Sequence, residues 1–268
     1  MNKYEELFKK NELKHNDYSS LRNEMLCKEF YRFILKTNGK ETCLELYKKY
    51  KYNIVLEYIL VFSLINKEYR KWILYNVFSN INKESLLSLF INILTDSYVM
   101  NEKELCNTLM KSMKMLSLVK KITYNDKMFI LITNDNETIR FKNSCDSVEE
   151  LEMNKNKCHT IVYELIKREC DKNKIDRCKI ATILEKNLFN GTRYHSFIVF
   201  GNYINDFARN IVISLEDYKK LFKPEFILCN SAKDVIKSID ILEENNLEFK
   251  EANLCKVLKY AIHKQNHI

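Results

Sequence analysis

Apolar positions recur at helical spacing through the first 120 residues. Met25, Leu26, Phe30, Phe33 and Ile34 form one stripe, and Gly39 ends that segment. Residues 54–65 are nearly all apolar. A bilayer needs about 20 such residues, so this run predicts a buried central helix. Helices near 67–79, 83–95 and 101–118 follow, with Trp72, Tyr75 and Phe78 as packing residues. The period then changes to two. Ile122 to Tyr124, Met128 to Thr133 and Thr138 to Phe141 predict short strands, with Asn125-Asp126 and Asn134-Asp135-Asn136 as turns. From Cys158 the apolar series Ile161, Val162, Leu165 and Ile166 predicts an amphipathic helix. Lys179 to Leu184 predicts a strand, and Asn190-Gly191-Thr192 a turn. Tyr194 to Phe200 and Tyr203 to Phe207 predict two strands around a Gly201-Asn202 turn, and Arg209 to Ile213 extends the sheet. Ser214, with Asp217 three residues on, caps a helix that Pro224 ends. Further helices are predicted from Ser231 to about Glu244 and from about Glu251 to His263. The fold class expected is α+β: an all-helical region over 1–120, then an α+β domain over 121–268 in which a cysteine-bearing helix packs on an antiparallel sheet.

Composition narrows the class. The chain has 268 residues, enough for one large or two ordinary domains. Three glycines and one proline argue against a fold of many tight turns and favour long helices. The 44 Lys and Arg against 36 Asp and Glu give +8, but the signs are interspersed. No concentrated basic stripe stands out, so nucleic-acid binding is not expected, nor is a membrane role. Nine cysteines occur with no CxxC pair and no Cys/His cluster at metal spacing. Met1-Asn2-Lys3-Tyr4-Glu5-Glu6 leads straight into amphipathic helix with no signal-peptide pattern. Reduced thiols in the cytoplasm are the expectation, and a protein exported without a cleavable signal has the same pattern. No metal or cofactor is expected: a glycine-rich phosphate loop is lacking, and His263 and His267 lie in a polar tail.

Candidate chemistry centres on residues 157–210. Cys158 opens its helix, where unpaired N–H groups and the positive dipole end favour a thiolate. The polar Asn154-Lys155-Asn156-Lys157 suits a loop entering that helix. His159 is its neighbour, but adjacent helical side chains point about 100° apart, so it is poorly placed as base. His195, Phe197 and Val199 share one strand face. A two-residue turn at Gly201-Asn202 sets Phe200 opposite Tyr203, Phe197 opposite Asp206 and His195 opposite Ala208. Asp206 is then a diagonal neighbour of His195, roughly 7–8 Å away and within side-chain reach. An odd-numbered loop would slip the register and bring Asn205 round instead. Asn210 shares the Asp206 face but lies further along. Thiol, imidazole and acid are the set that nucleophilic thiol catalysis requires.

Cys158 on a helix, Tyr194-His195-Ser196-Phe197-Ile198-Val199 on a strand and Asn205 to Asn210 on the next together resemble the transglutaminase-like branch of the papain-like cysteine hydrolases. The likeness covers roughly residues 120–230. It implies Cys158 as nucleophile, His195 as base and Asp206 as orienting acid. It also implies a thiol-dependent hydrolase or acyltransferase (peptidase, deamidase or transglutaminase type) acting on a peptide or protein carbonyl. Papain-like enzymes often carry a Gln shortly before the cysteine as oxyanion donor. Here Glu152, Asn154 and Asn156 occupy that stretch, so Asn154 and Asn156 are the oxyanion candidates. The alternatives are a catalytically silent, transglutaminase-like binding module and a helical protein-interaction protein whose N-terminal helices bind a partner.

Overall fold

A computed structural model describes residues 82–154, 158–170, 178–186 and 192–231. The helices expected before residue 82 and after Ser231 lie outside these residues, as does Asn156. The described residues fall into two compact units, the first holding 82–123, 131–138 and Lys186, the second 124–130, 139–185 and 192–231.

In the first unit two helices pack together, α1 (Lys83–Val99) and α2 (Lys103–Met115). The Asn82 side chain accepts the Ser85 N–H at 3.0 Å and so caps α1. Leu86, Leu89, Phe90, Ile93 and Leu94 of α1 and Cys106, Leu109 and Met113 of α2 are buried at helical spacing. These helices match the predicted ones to within a few residues at their ends, where periodicity is least informative. No described helix is long and apolar enough to cross a membrane.

Eight strands form one sheet: β1 (Lys121–Asn125), β2 (Met128–Ile132), β3 (Thr138–Lys142), β4 (Cys178–Lys186), β5 (Thr192–Phe200), β6 (Tyr203–Asp206), β7 (Ile211–Ser214) and β8 (Phe226–Ser231). Their order is β1-β2-β3-β7-β6-β5-β4-β8. The pairs β3–β7, β7–β6, β6–β5 and β4–β8 are antiparallel. Between β3 and β4 lie α3 (Val148–Asn154) and α4 (Cys158–Cys170), and α5 (Leu215–Phe222) follows β7. The described region is therefore α+β. α4 lies against β5, and α5 against β6 and β7.

Local chemistry accounts for these elements. Asp126 and Lys127 both take positive φ between β1 and β2, the pattern of a type I′ hairpin turn. Gly201 alone takes positive φ (59°) in the β5–β6 turn, as a II′-type turn requires. Phe200 pairs with Tyr203, Val199 with Ile204 and Ile198 with Asn205, the predicted register. The Ser214 hydroxyl accepts the Asp217 N–H at 3.0 Å, and Lys223 closes α5 in the left-handed region one residue before Pro224.

Three features differ from the expectation. β6 ends at Asp206, so Ala208 lies in a turn and does not pair with His195. The cause is local: the Asp206 carboxylate accepts the Arg209 N–H at 3.2 Å, and Asn210 turns left-handed at φ 53°. A helix not expected from the sequence, α3, covers Val148–Asn154, so Asn154, expected in the loop entering the Cys158 helix, closes α3, and the rest of that loop, 155–157, lies outside the described residues. β8 occupies residues for which no strand was expected and ends at Ser231, where the described residues also end. Its Phe226-Ile227-Leu228-Cys229 run is too short for its period to distinguish helix from strand.

Candidate active site

The site lies wholly in the second unit, where α4, β5 and the β6–β7 turn meet. Cys158 is the first residue of α4 and is half-buried. The buried side of the helix carries His159, Val162 and Tyr163. Cys158 shares a half-exposed edge with Ile161 and Leu165 of the predicted apolar stripe.

β5 presents His195, Ser196 and Phe197 in succession, all buried. A strand covered on both faces buries side chains of both alternations. The His195 Nε2 is 2.7 Å from Asp206 Oδ2. That leaves Nδ1 for the Cys158 thiol, whose titration the same ring shifts. Residues 158, 195 and 206 thus meet in one constellation.

Asp206 is fully buried. Its Oδ2 also accepts from the Tyr218 hydroxyl at 3.1 Å and from an Arg209 guanidinium nitrogen at 3.3 Å. The same guanidinium nitrogen reaches Tyr218, and its fellow pairs with Glu185 of β4. Arg209 stacks over the Phe222 ring at 4.3 Å. Buried charges survive when paired and hydrogen-bonded, and here two acids share one guanidinium.

The electrostatics follow. Burial by itself pushes the Cys158 thiol up. The imidazoles of His159 and His195 outweigh that and bring it from 9.0 to about 6. Burial pulls the His195 ring down, but the Asp206 carboxylate and the Cys158 sulfur outweigh it and raise it from 6.5 to about 10. At neutral pH the arrangement is a thiolate beside an imidazolium. Burial pushes Cys106, Cys145 and Cys229 the other way. Cys106, Cys145, Cys158, Cys178 and Cys229 carry no disulfide.

Of the oxyanion candidates, Asn154 donates its side-chain amide to the Cys145 sulfur at 3.3 Å. Asn210, set aside in the sequence for its distance from His195, is buried. Its side-chain oxygen accepts the Cys145 N–H at 2.8 Å and the Ser144 N–H at 3.0 Å. It ties the β6–β7 turn to the segment that leads into α3. A cleft of about 560 Å³ runs beside α4, lined by Ile161, Leu165, Met153 and Phe207 with Ser144, Asn154, Glu150 and Glu164.

Sequence reasoning missed Arg209, Tyr218, Glu185 and the burial of His159. Glu185 left a trace, a single acid closing the apolar run Ile180 to Leu184. The others left none, because their pairing depends on β4, β6 and α5 coming together. Compared with family models, curated proteins and solved structures, the chain matches none, so the reading of this site rests on its own geometry.

Proposed function

We propose that the chain is a thiol-dependent hydrolase or acyltransferase acting on a peptide or amide carbonyl, with Cys158 as nucleophile, His195 as base and acid, and Asp206 as the group that orients the imidazole. The reading agrees with the resemblance to the transglutaminase-like branch of the papain-like hydrolases. One observation carries it: the His195 ring is 2.7 Å from Asp206 and lies close enough to the Cys158 thiol that each shifts the other's titration.

The chemistry follows from those positions. The Cys158 proton passes to His195, and the thiolate attacks the carbonyl carbon. A C–S bond forms and the carbonyl π pair moves to oxygen. When the tetrahedral species collapses, the C–N bond breaks and the leaving amine takes the proton from His195. Water, or a second amine, then adds to the thioester while His195 accepts its proton. The C–S bond breaks, and the sulfur leaves as thiolate or recovers the proton from His195. Asp206 fixes which ring nitrogen faces the sulfur throughout. The cleft beside α4 offers room for a chain-like substrate next to the thiol.

The test is acylation. An activated ester such as p-nitrophenyl acetate should transfer its acyl group to the full-length protein, with the added mass on the Cys158 peptide. Cys158→Ala should abolish the adduct with the fold retained by circular dichroism. His195→Ala should slow it by at least about 10²-fold at pH 7, the range of general-base contributions. Acylation of Cys158 at the wild-type rate in His195→Ala would sink the proposal.

A further inference from the structure

Beside the proposed triad a second polar chain starts at the residue next to Cys158. His159 is 2 % exposed, Ser196 1 % and Thr182 1 %. Their side chains are hydrogen-bonded in series: His159 Nδ1 to Ser196 Oγ at 2.7 Å, and Ser196 Oγ to Thr182 Oγ1 at 2.8 Å. Ala181 and Ile183 flank Thr182 on an otherwise apolar stretch of β4, where a valine would fill the same volume. Ser196 is turned to the opposite side of β5 from His195. Three buried polar groups that satisfy one another need a reason to be there, because an apolar set would pack without their desolvation cost.

The reason lies at the chain's end. His159, hydrogen-bonded to Ser196, is the next residue after Cys158, and its imidazole helps to lower that thiol. With Nδ1 occupied by a hydroxyl, Nε2 is the nitrogen left for the sulfur. One assignment lets every group donate once: Thr182 O–H to Ser196 Oγ, Ser196 O–H to His159 Nδ1, and His159 Nε2–H to Cys158 Sγ. We infer that His159 is a second catalytic imidazole, a hydrogen-bond donor to the Cys158 thiolate whose tautomer is set by Ser196 and Thr182, while His195 does the proton transfer. The inference rests on the reading of Cys158 as nucleophile. It also explains how neighbours on one helix both serve the site: the thiol lies at the first position of α4, and the next ring is drawn back to it by Ser196.

The experiment is the pH dependence of Cys158 alkylation by iodoacetamide in the full-length protein, in wild type, His159→Ala, His159→Gln, Ser196→Ala and His195→Ala. In His159→Ala the midpoint should rise by about one pH unit, which is tenfold less thiolate near pH 6. His159→Gln keeps a donor and should shift less, and Ser196→Ala should shift in the same direction as His159→Ala. A purely structural role would not move the midpoint of a folded variant. Coincident curves for wild type and folded His159→Ala overturn the inference and leave the triad standing. An unmoved midpoint in His195→Ala removes the triad reading instead. Should His159→Ala not fold, nitrogen-15 spectra of the His159 ring in the unsubstituted protein decide the matter. A ring protonated at Nε2 supports the inference, and one protonated only at Nδ1 overturns it.

Discussion

Asp206 organises the site through four hydrogen bonds, two from Arg209 and one each with His195 and Tyr218. Asp206→Asn keeps the shape but turns an amide donor toward His195, which favours the wrong tautomer. Acylation by p-nitrophenyl acetate should fall by up to roughly 10⁴-fold with the thermal midpoint little changed. A fall of less than threefold would show that the acid is not an orienting group. Titration gives a second residue-scale prediction. The thiol lies below its ordinary value, so the nucleophile is present above about pH 6 and lost as pH drops through it. The imidazolium lies above its ordinary value, so the proton for the leaving group is present below about pH 10 and lost as pH climbs through it. Turnover should therefore hold a plateau between those limits. A cysteine with an ordinary thiol would instead show alkylation rising only above pH 8. Arg209 gives a third. Arg209→Leu strands Glu185 and Asp206 without their shared cation and should cost about 3–5 kcal/mol in urea unfolding. Replacing Glu185 by Leu as well should recover part of that loss. A double variant less stable than the single one would show that the guanidinium is not there to balance Glu185.

At the scale of elements, the sequence signals that worked were the ones that act over a few residues. The Ser214 cap, the Gly201 turn and the Cys158 helix start each depend on a side chain and a backbone N–H or φ no more than four positions apart. Ser214→Ala should cost about 1 kcal/mol, read as a lower urea midpoint with an unchanged slope. A change below about 0.3 kcal/mol would mean that α5 is held by packing alone, through Tyr218, Leu221 and Phe222. The β5–β6 register was legible because a two-residue turn leaves one pairing. The end of β6 was not, because alternation says nothing about when a side chain will capture its own backbone. Asp206 does so, and the turn it makes brings Arg209 back onto it.

Taken as a whole, the second unit places a cleft along the helix that the thiol opens, with the charge network behind the thiol. Ile161 and Leu165 lie three and seven positions after Cys158, so the cleft begins about one helical turn from the sulfur. Ile161→Trp should narrow it. Iodoacetamide, which is small, should still alkylate Cys158 at the wild-type rate. Acylation by a bulky peptide thioester should slow at least tenfold. Equal rates for both reagents would place the substrate path elsewhere.

What the sequence by itself determined is the identity of the reactive groups and the local geometry that starts and stops their elements. A cysteine at a helix start, a histidine on an alternating strand and an acid past a Gly-Asn turn are recorded in spacing, and spacing governs hydrogen bonds between near neighbours. Only the tertiary structure decided which way α4 rolls, which leaves Cys158 half-buried and sends His159 inward to Ser196. It also decided that Glu185, Arg209 and Tyr218 converge behind Asp206. The contacts of His159 with Ser196 and of Arg209 with Tyr218 and Glu185 join groups 9 to 37 positions apart. Their energy comes from desolvation and pairing inside the folded unit, which no periodicity in the chain encodes.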